Sequence, residues 1–138
     1  MKNVHIKAYD KQTYETYDDV NETEFEGQLA FKNDSIYITY KDLDMGVTTL
    51  IKIKDAAVSV KRQGSLKGNL EFNPQNPYKT IYYTPYGEME IEIITKKCNV
   101  CHLEQSVKID IEYKLMMQGK LISDNIYRIN ANIHTIHP

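Results

Sequence analysis

Period-two alternation of apolar and polar residues fills almost every segment between turn signals in this chain, and few folds can accommodate that pattern. Phe25, Gly27, Leu29 and Phe31 share one parity, while Glu24, Glu26, Gln28 and Lys32 hold the other. Val47, Thr49, Ile51 and Ile53 alternate with Thr48, Lys52 and Lys54, and Met89, Ile91 and Ile93 alternate with Glu88, Glu90 and Glu92. Val107, Ile109, Ile111, Tyr113 and Leu115 alternate with Lys108, Asp110, Glu112 and Lys114. Strands of this kind are oily on one side and wet on the other, so the expectation is an antiparallel sheet with its apolar face turned inward. No sustained helical periodicity, repeat or low-complexity tract competes with it.

Turn chemistry divides the pattern into strands. A first strand is expected over about Val4 to Tyr9, followed by a polar connection, Asp18 to Thr23, and the strand from Phe25 to Phe31. Asn33-Asp34-Ser35 reads as a tight hairpin turn, because Asn and Asp tolerate positive φ. Further turns are expected at Asp42 to Gly46, Asp55-Ala56, Gly64 to Gly68, Pro74 to Pro77 and Pro85-Tyr86-Gly87. Two long strands, about Gly87 to Lys97 and Leu103 to Gln118, are joined through Cys98 to His102, and a hairpin at Gly119-Lys120 starts the last arm. Eight to ten short-linked strands with one apolar face must hide that face, and closing the sheet into a small up-and-down barrel also removes its edges. The inward set is bulky, which favours a mostly filled interior, although a barrel of about eight strands has room for one small ligand.

At 138 residues the chain suits a single domain over 1–138. A net charge of -2 provides no overall field for nucleic acid, and no run approaches the length of an apolar membrane helix. With no apolar export segment at the N-terminus, the expected setting is the cytoplasm. The 11 tyrosines suit half-buried pleated surfaces with wet hydroxyls.

Cys98-Asn99-Val100-Cys101-His102 spells a haem-attachment motif, but it falls between strands and lacks an export signal. A redox dithiol lacks a helix N-terminus to lower its pKa. Zinc would need a fourth ligand from His5, His134 or His137. The favoured reading is two ordinary thiols, with no metal and no cofactor. Glu88, Glu90 and Glu92 read as a solvated outer face, and no nucleophile and base pair is visible. Arg62 stands apart. It shares parity with Val58 and Val60, so its guanidinium points into the barrel near a strand end, where it must find a partner: either groups that close the barrel end or an anionic ligand.

Arg62-Gln63-Gly64 and the run Tyr82-Tyr83-Thr84-Pro85-Tyr86-Gly87-Glu88-Met89-Glu90-Ile91 resemble the YwiB-like family of small bacterial proteins. The resemblance is easiest to follow from Gly27 to Thr95. It implies a calycin-type barrel, lipocalin-like in shape, and no established activity. The leading expectation is a non-catalytic barrel that binds a small apolar or amphipathic molecule, with Arg62, Tyr82, Thr84, Tyr40 and Tyr113 as ligand-lining residues and Gly64, Pro85 and Gly87 as turn residues. The alternative is a structural or interaction module with a filled core. Expected partners are a small-molecule ligand and, for self-association, a homodimer, with neither nucleic acid nor membrane.

Overall fold

A computed structural model describes residues 1–134, and every regular element in it is a strand. The strands are β1 (Lys2–Thr13), β2 (Asp18–Lys32), β3 (Ser35–Asp42), β4 (Val47–Lys54), β5 (Ala57–Gly64), β6 (Gly68–Phe72), β7 (Tyr78–Thr84), β8 (Gly87–His102), β9 (Ser106–Met117) and β10 (Lys120–Ile133). They form one antiparallel sheet in the order β6-β5-β4-β3-β2-β1-β10-β9-β8-β7, in which β1 pairs with β10 and all other neighbours are consecutive in sequence. Between β6 and β7 the sheet closes through a single bridge, Lys67 with Tyr83, whose two backbone hydrogen bonds measure 3.0 and 2.8 Å. The result is the nearly closed all-β barrel that the alternation predicts.

Turn residues match their geometry. Asn33, Asp34 and Asp55 have positive φ, as do Gln118 and Gly119 in the last hairpin. Three boundaries differ from the sequence reading, the first being β1, which runs on to Thr13 instead of ending at about Tyr9. The polar segment Asp18 to Thr23 is strand rather than connection, since it pairs residue by residue with β1 from Thr13 back to Ala8. Its period-two signal is missing because both faces are polar: one meets solvent, and on the other Asn21 and Thr23 meet a polar barrel mouth. Cys98 to His102 is likewise the end of β8, and the turn lies at 103–105. A bulge between Thr95 and Lys97 inserts Lys96, so Lys97 turns outward to Asp110 (Nζ to Oδ2 3.0 Å) while Cys98 and Val100 turn towards the core.

Because the chain runs up and down, the two barrel ends are distinct. One carries the turns 33–34, 55–56, 73–77 and 103–105, and the interior towards it is apolar: Val4, Leu29, Ile38, Ile53, Val58, Val107 and Ile109 are all buried. The other carries the turns 14–17, 43–46, 65–67, 85–86 and 118–119. There the inward residues become Asp10, Tyr40, Thr49, Arg62, Tyr82, Thr95, Tyr113, Asn125 and Tyr127. A filled apolar floor thus supports a polar upper chamber.

Candidate functional site

Strand β5 directs Val58, Val60 and Arg62 inward in turn; the valines are fully packed, and Arg62 reaches the mouth with part of its surface exposed. Its Nη1 donates to the Tyr82 hydroxyl at 3.2 Å, and the guanidinium carbon lies 5.9 Å from the centroid of the Tyr127 ring. Among the described residues it forms no salt bridge, so most of its donor fork is not tied to a carboxylate. Glycine places the Tyr82 ring: a Cβ on Gly68 would lie 2.4 Å from Tyr82 Cδ2, so only a bare backbone lets the ring lie there. Tyr127 and Tyr40 hydroxyls approach to 3.5 Å, and the Tyr40 ring stacks on Phe25 at 4.5 Å. Arg62, Tyr127, Tyr40 and Phe25 line an open cavity of about 350 Å³ together with Asp10, Asp42, Val47, Thr49 and Leu66; Tyr82 stands behind Arg62 and outside that lining.

Burial dominates the electrostatics of this chamber. It raises the Asp10 pKa, against the pull of the Arg62 charge and with the help of Asp19. Burial, reinforced by the Asp10 charge, pushes the Tyr113 hydroxyl up to about 12, and burial together with Tyr40 holds Tyr127 well above its ordinary value. Tyr113 and Tyr127 are therefore neutral hydrogen-bonding groups at physiological pH. For Arg62, burial opposes the charge, but the surrounding Tyr127 and Tyr82 oxygens outweigh it and move the pKa upward. The mouth thus presents a permanent cation, neutral hydroxyls and one carboxyl group whose proton is held more tightly than usual.

The residues singled out in the sequence divide in three ways. Arg62, Tyr82 and Tyr40 meet at the mouth, and Tyr113 sits deeper, against Phe72 at 4.8 Å. Thr84 does not join them: its hydroxyl donates to the Gly87 carbonyl (3.0 Å) and accepts from the Tyr86 N–H (3.1 Å), which makes it a turn residue. Gly64, Pro85 and Gly87 lie at turns of the same barrel end; Gly64 (φ +126°) packs its Cα against the Gly46 carbonyl, and Gly87 has φ +123°. Asp10 and Tyr127 join the site without standing out in the sequence. Both carry inward parity, Asp10 with Ile6 and Ala8 and Tyr127 with Ile129, but a first strand ending at Tyr9 leaves Asp10 outside the pattern.

The cysteines are separated by strand geometry. Cys98 pairs opposite Ile111 on the inner face and Cys101 opposite Lys108 on the outer face, so the two thiols point apart. His5 and His134 lie on the outside, where Glu26 joins them (His5 Nδ1 to Oε1 2.7 Å, His134 Nε2 to Oε2 2.6 Å); His137 lies outside the described residues. Among the described residues no group of three or more His, Cys, Asp or Glu side chains is arranged to hold a metal ion. Among them, too, no helix is long and apolar enough to cross a membrane.

Comparison with known proteins agrees with this architecture. Residues 4–129 match the family profile described as "Domain of unknown function (DUF1934)". An uncharacterized beta-barrel protein, YwiB of Bacillus subtilis strain 168, is 29% identical over 91 residues, a segment spanning 64% of this chain and 64% of that relative, just under two thirds of its length. The crystal structure of the ywiB protein from Bacillus subtilis superposes with a TM-score of 0.85 at 22% identity, covering 97% of this chain and 93% of the other, a likeness of fold.

Proposed function

The chain belongs to the DUF1934 family, and we propose that it is a non-catalytic binding protein for a small organic anion held in the upper chamber of its barrel. One observation carries the reading: Arg62 is held at the mouth by a single 3.2 Å hydrogen bond to Tyr82, without a salt bridge among the described residues, and faces a cavity of about 350 Å³. A guanidinium drawn into a barrel with no carboxylate in contact, Asp10 acting on it only from a distance, is costly to keep, and an anionic ligand group received by its planar fork offsets that cost. Phe25, Val47 and Leu66 supply an apolar wall for the body of an amphipathic ligand, and the volume lies within the range of small-molecule sites. A calycin-like use of the barrel, with a ligand at one mouth, accords with this arrangement. No catalysis enters the reading, and its setting is the cytoplasm.

Native mass spectrometry of the purified protein and of Arg62→Met tests it. The wild type is expected to carry or take up small organic anions that the variant does not, with little change in the stability of the free barrel. Absence of binding in both, together with a fall of about 1–3 kcal/mol in the variant, would instead favour a structural module in which Arg62 only closes the barrel end. That second reading draws on the filled lower interior, where Val4, Ile6, Leu29 and Ile38 leave no exposed surface.

A further inference from the structure

Three charged side chains line the cavity at the barrel mouth: Arg62 is its cation, and Asp10 and Asp42 are carboxylates. Among the described residues neither acid forms a salt bridge, although Asp42 Oδ1 accepts from the Met45 N–H at 3.1 Å. Asp19 adds its negative charge to the surroundings of Asp10. The lining as a whole is therefore acidic, with one guanidinium set among carboxylates.

Register brings Asp10 and Arg62 to the same spot. Asp10 stands opposite Tyr127 in the β1–β10 pairing and opposite Asn21 in the β1–β2 pairing, which makes a row along one wall. Residues directly opposite one another on antiparallel strands have Cβ atoms about 4.5–5.5 Å apart. From its own row, where Tyr40, Thr49 and Arg62 follow across β3, β4 and β5, the guanidinium reaches over the Tyr127 ring, its carbon 5.9 Å from the centroid. Cation and carboxylate thus flank one ring, near enough for the Arg62 charge to act on Asp10 and too far apart for a salt bridge.

A lone carboxylate or phosphate would satisfy Arg62 but bring a further negative charge towards Asp10 and Asp42, in a setting where water screens it poorly. A ligand hydroxyl could donate to Asp10 yet leave its charge uncompensated. An ammonium group donates and neutralises at once. Phe25 and Tyr40, stacked at 4.5 Å, form with Val47 and Leu66 an apolar surface beside these charges. We propose that the ligand is a zwitterion of the α-amino acid class with an apolar or aromatic side chain, its carboxylate received by Arg62, its ammonium by Asp10 and its body by the surface around Phe25 and Tyr40. The proposal rests on the Arg62 reading above and narrows it to an anionic group accompanied by an amine. In an α-amino acid both charged groups sit on one carbon, which suits two counter-charges that flank a single ring.

Calorimetry on the dialysed full-length protein tests it with three matched probes: L-phenylalanine, 3-phenylpropionate, which lacks only the amine, and phenethylamine, which lacks only the carboxylate. The proteins are wild type, Arg62→Met and the near-isosteric Asp10→Asn. Wild type is expected to bind L-phenylalanine roughly tenfold or more tightly than either fragment. Asp10→Asn should bring L-phenylalanine down to the level of 3-phenylpropionate without weakening 3-phenylpropionate itself, and Arg62→Met should lose both. 3-Phenylpropionate binding as tightly as L-phenylalanine to wild type, and lost in Arg62→Met, overturns the amine and leaves the Arg62 reading standing. A preference for the amino acid that survives Asp10→Asn does the same, and so does an equal loss of both probes, which would make Asp10 a residue that only positions Arg62. Phenethylamine binding as tightly as L-phenylalanine and unaffected by Arg62→Met overturns both. Should Asp10→Asn fail to fold, the comparison of probes on the wild type decides alone. If wild type binds none of the three, native mass spectrometry separates the failures: an anion retained by wild type and absent from Arg62→Met discards the amino acid and keeps Arg62, and no retained anion discards both.

Discussion

Replacing Gly68 with alanine tests the coupling between the barrel seam and the chamber. The new Cβ would stand 2.4 Å from Tyr82 Cδ2 and 2.9 Å from Cε2, inside any tolerable contact, and it does so one residue from the Lys67–Tyr83 bridge that joins β6 to β7. At +159° the φ of Gly68 lies at the edge of extended backbone, so the argument rests on the collision. Overpacking of this kind costs about 1–3 kcal/mol. Swinging the ring aside also breaks its hydrogen bond with Arg62, one to a charged donor and worth about 1.5–3 kcal/mol when fully buried, less at this partly exposed mouth. The reduced freedom of the unfolded chain returns about 0.4–1 kcal/mol. The net expectation is a loss of about 2–3 kcal/mol, which for a chain of this size lowers the melting temperature by roughly 6–12 °C. Thermal unfolding followed by far-ultraviolet circular dichroism, with the tyrosine signal recorded alongside, reads the change. In a Tyr82→Ala background the same glycine substitution should cost almost nothing, because the obstructing ring is gone. A wild-type melting temperature for Gly68→Ala, or an undiminished cost beside Tyr82→Ala, would refute the reasoning.

Three other outcomes follow from the geometry. Cys101, exposed on the outer face, should react with iodoacetamide well before half-buried Cys98, whose thiol pKa burial raises, and mild oxidation should not link the pair; an intramolecular disulfide at native pH would contradict their opposed directions. The exposed clamp of Glu26 with His5 should shape the pH dependence of stability: hydrogen bonds to Glu26 and Glu24 raise the His5 pKa above 6.5, a contribution complete below that value and lost as pH rises through the folded value, while hydrogen bonds from His5 and His134 lower Glu26 below 4.5, a contribution complete above 4.5 and lost below it. Melting temperatures of wild type minus Glu26→Gln should therefore be largest between about pH 4.5 and 6.5 and shrink on either side; a flat difference would mean that the clamp is not formed. Gly87→Val should lower the stability by about 1–2 kcal/mol from backbone strain alone, read as a lower denaturation midpoint, since φ is +123° and no atom lies within 4 Å of its Cβ position; an unchanged midpoint would show that the turn relaxes freely.

Legibility in the sequence follows the apolar pattern. Where one face is buried in the floor, as for Ile51 and Ile53 or Val107 to Ile111, parity and packing agree residue by residue. Arg62 is visible for the same reason, as a charge on an apolar parity. The signal fails where the inner face itself becomes polar. Asp18 to Thr23 looks like a loop because its inward residues face the chamber, and Asp10 looks like the end of a strand that in fact runs on to Thr13. Bulges are silent in composition: Lys96 and Ile122 carry no residue-type marker, yet the first reverses the parity of Cys98 and the second sets that of Ser123. Tyr127 has the parity of a core residue, and it is in the core. Its role at the site depends on Arg62 reaching it from β5, a pairing across the barrel that no local window contains.

The division of the interior into an apolar floor and a polar chamber bears on why the chamber is there. Thr95, Ser123 and Asn125 carry buried side-chain oxygens without a hydrogen-bond partner among the described residues, each costing about 1–3 kcal/mol, and a partly buried guanidinium with no carboxylate in contact adds to that. Stability alone would fill the upper end with the same Ile, Val and Leu that fill the lower one, and the strands could accept them, since parity and register continue unbroken along β4 and β5. Instead the polar residues are concentrated at one end of ten strands, and the two register shifts in the paired ladders of the described residues adjoin them. Polar residues gathered at one end, with backbone adjustments beside them, are the departure from uniform core filling for which the proposed binding role would account.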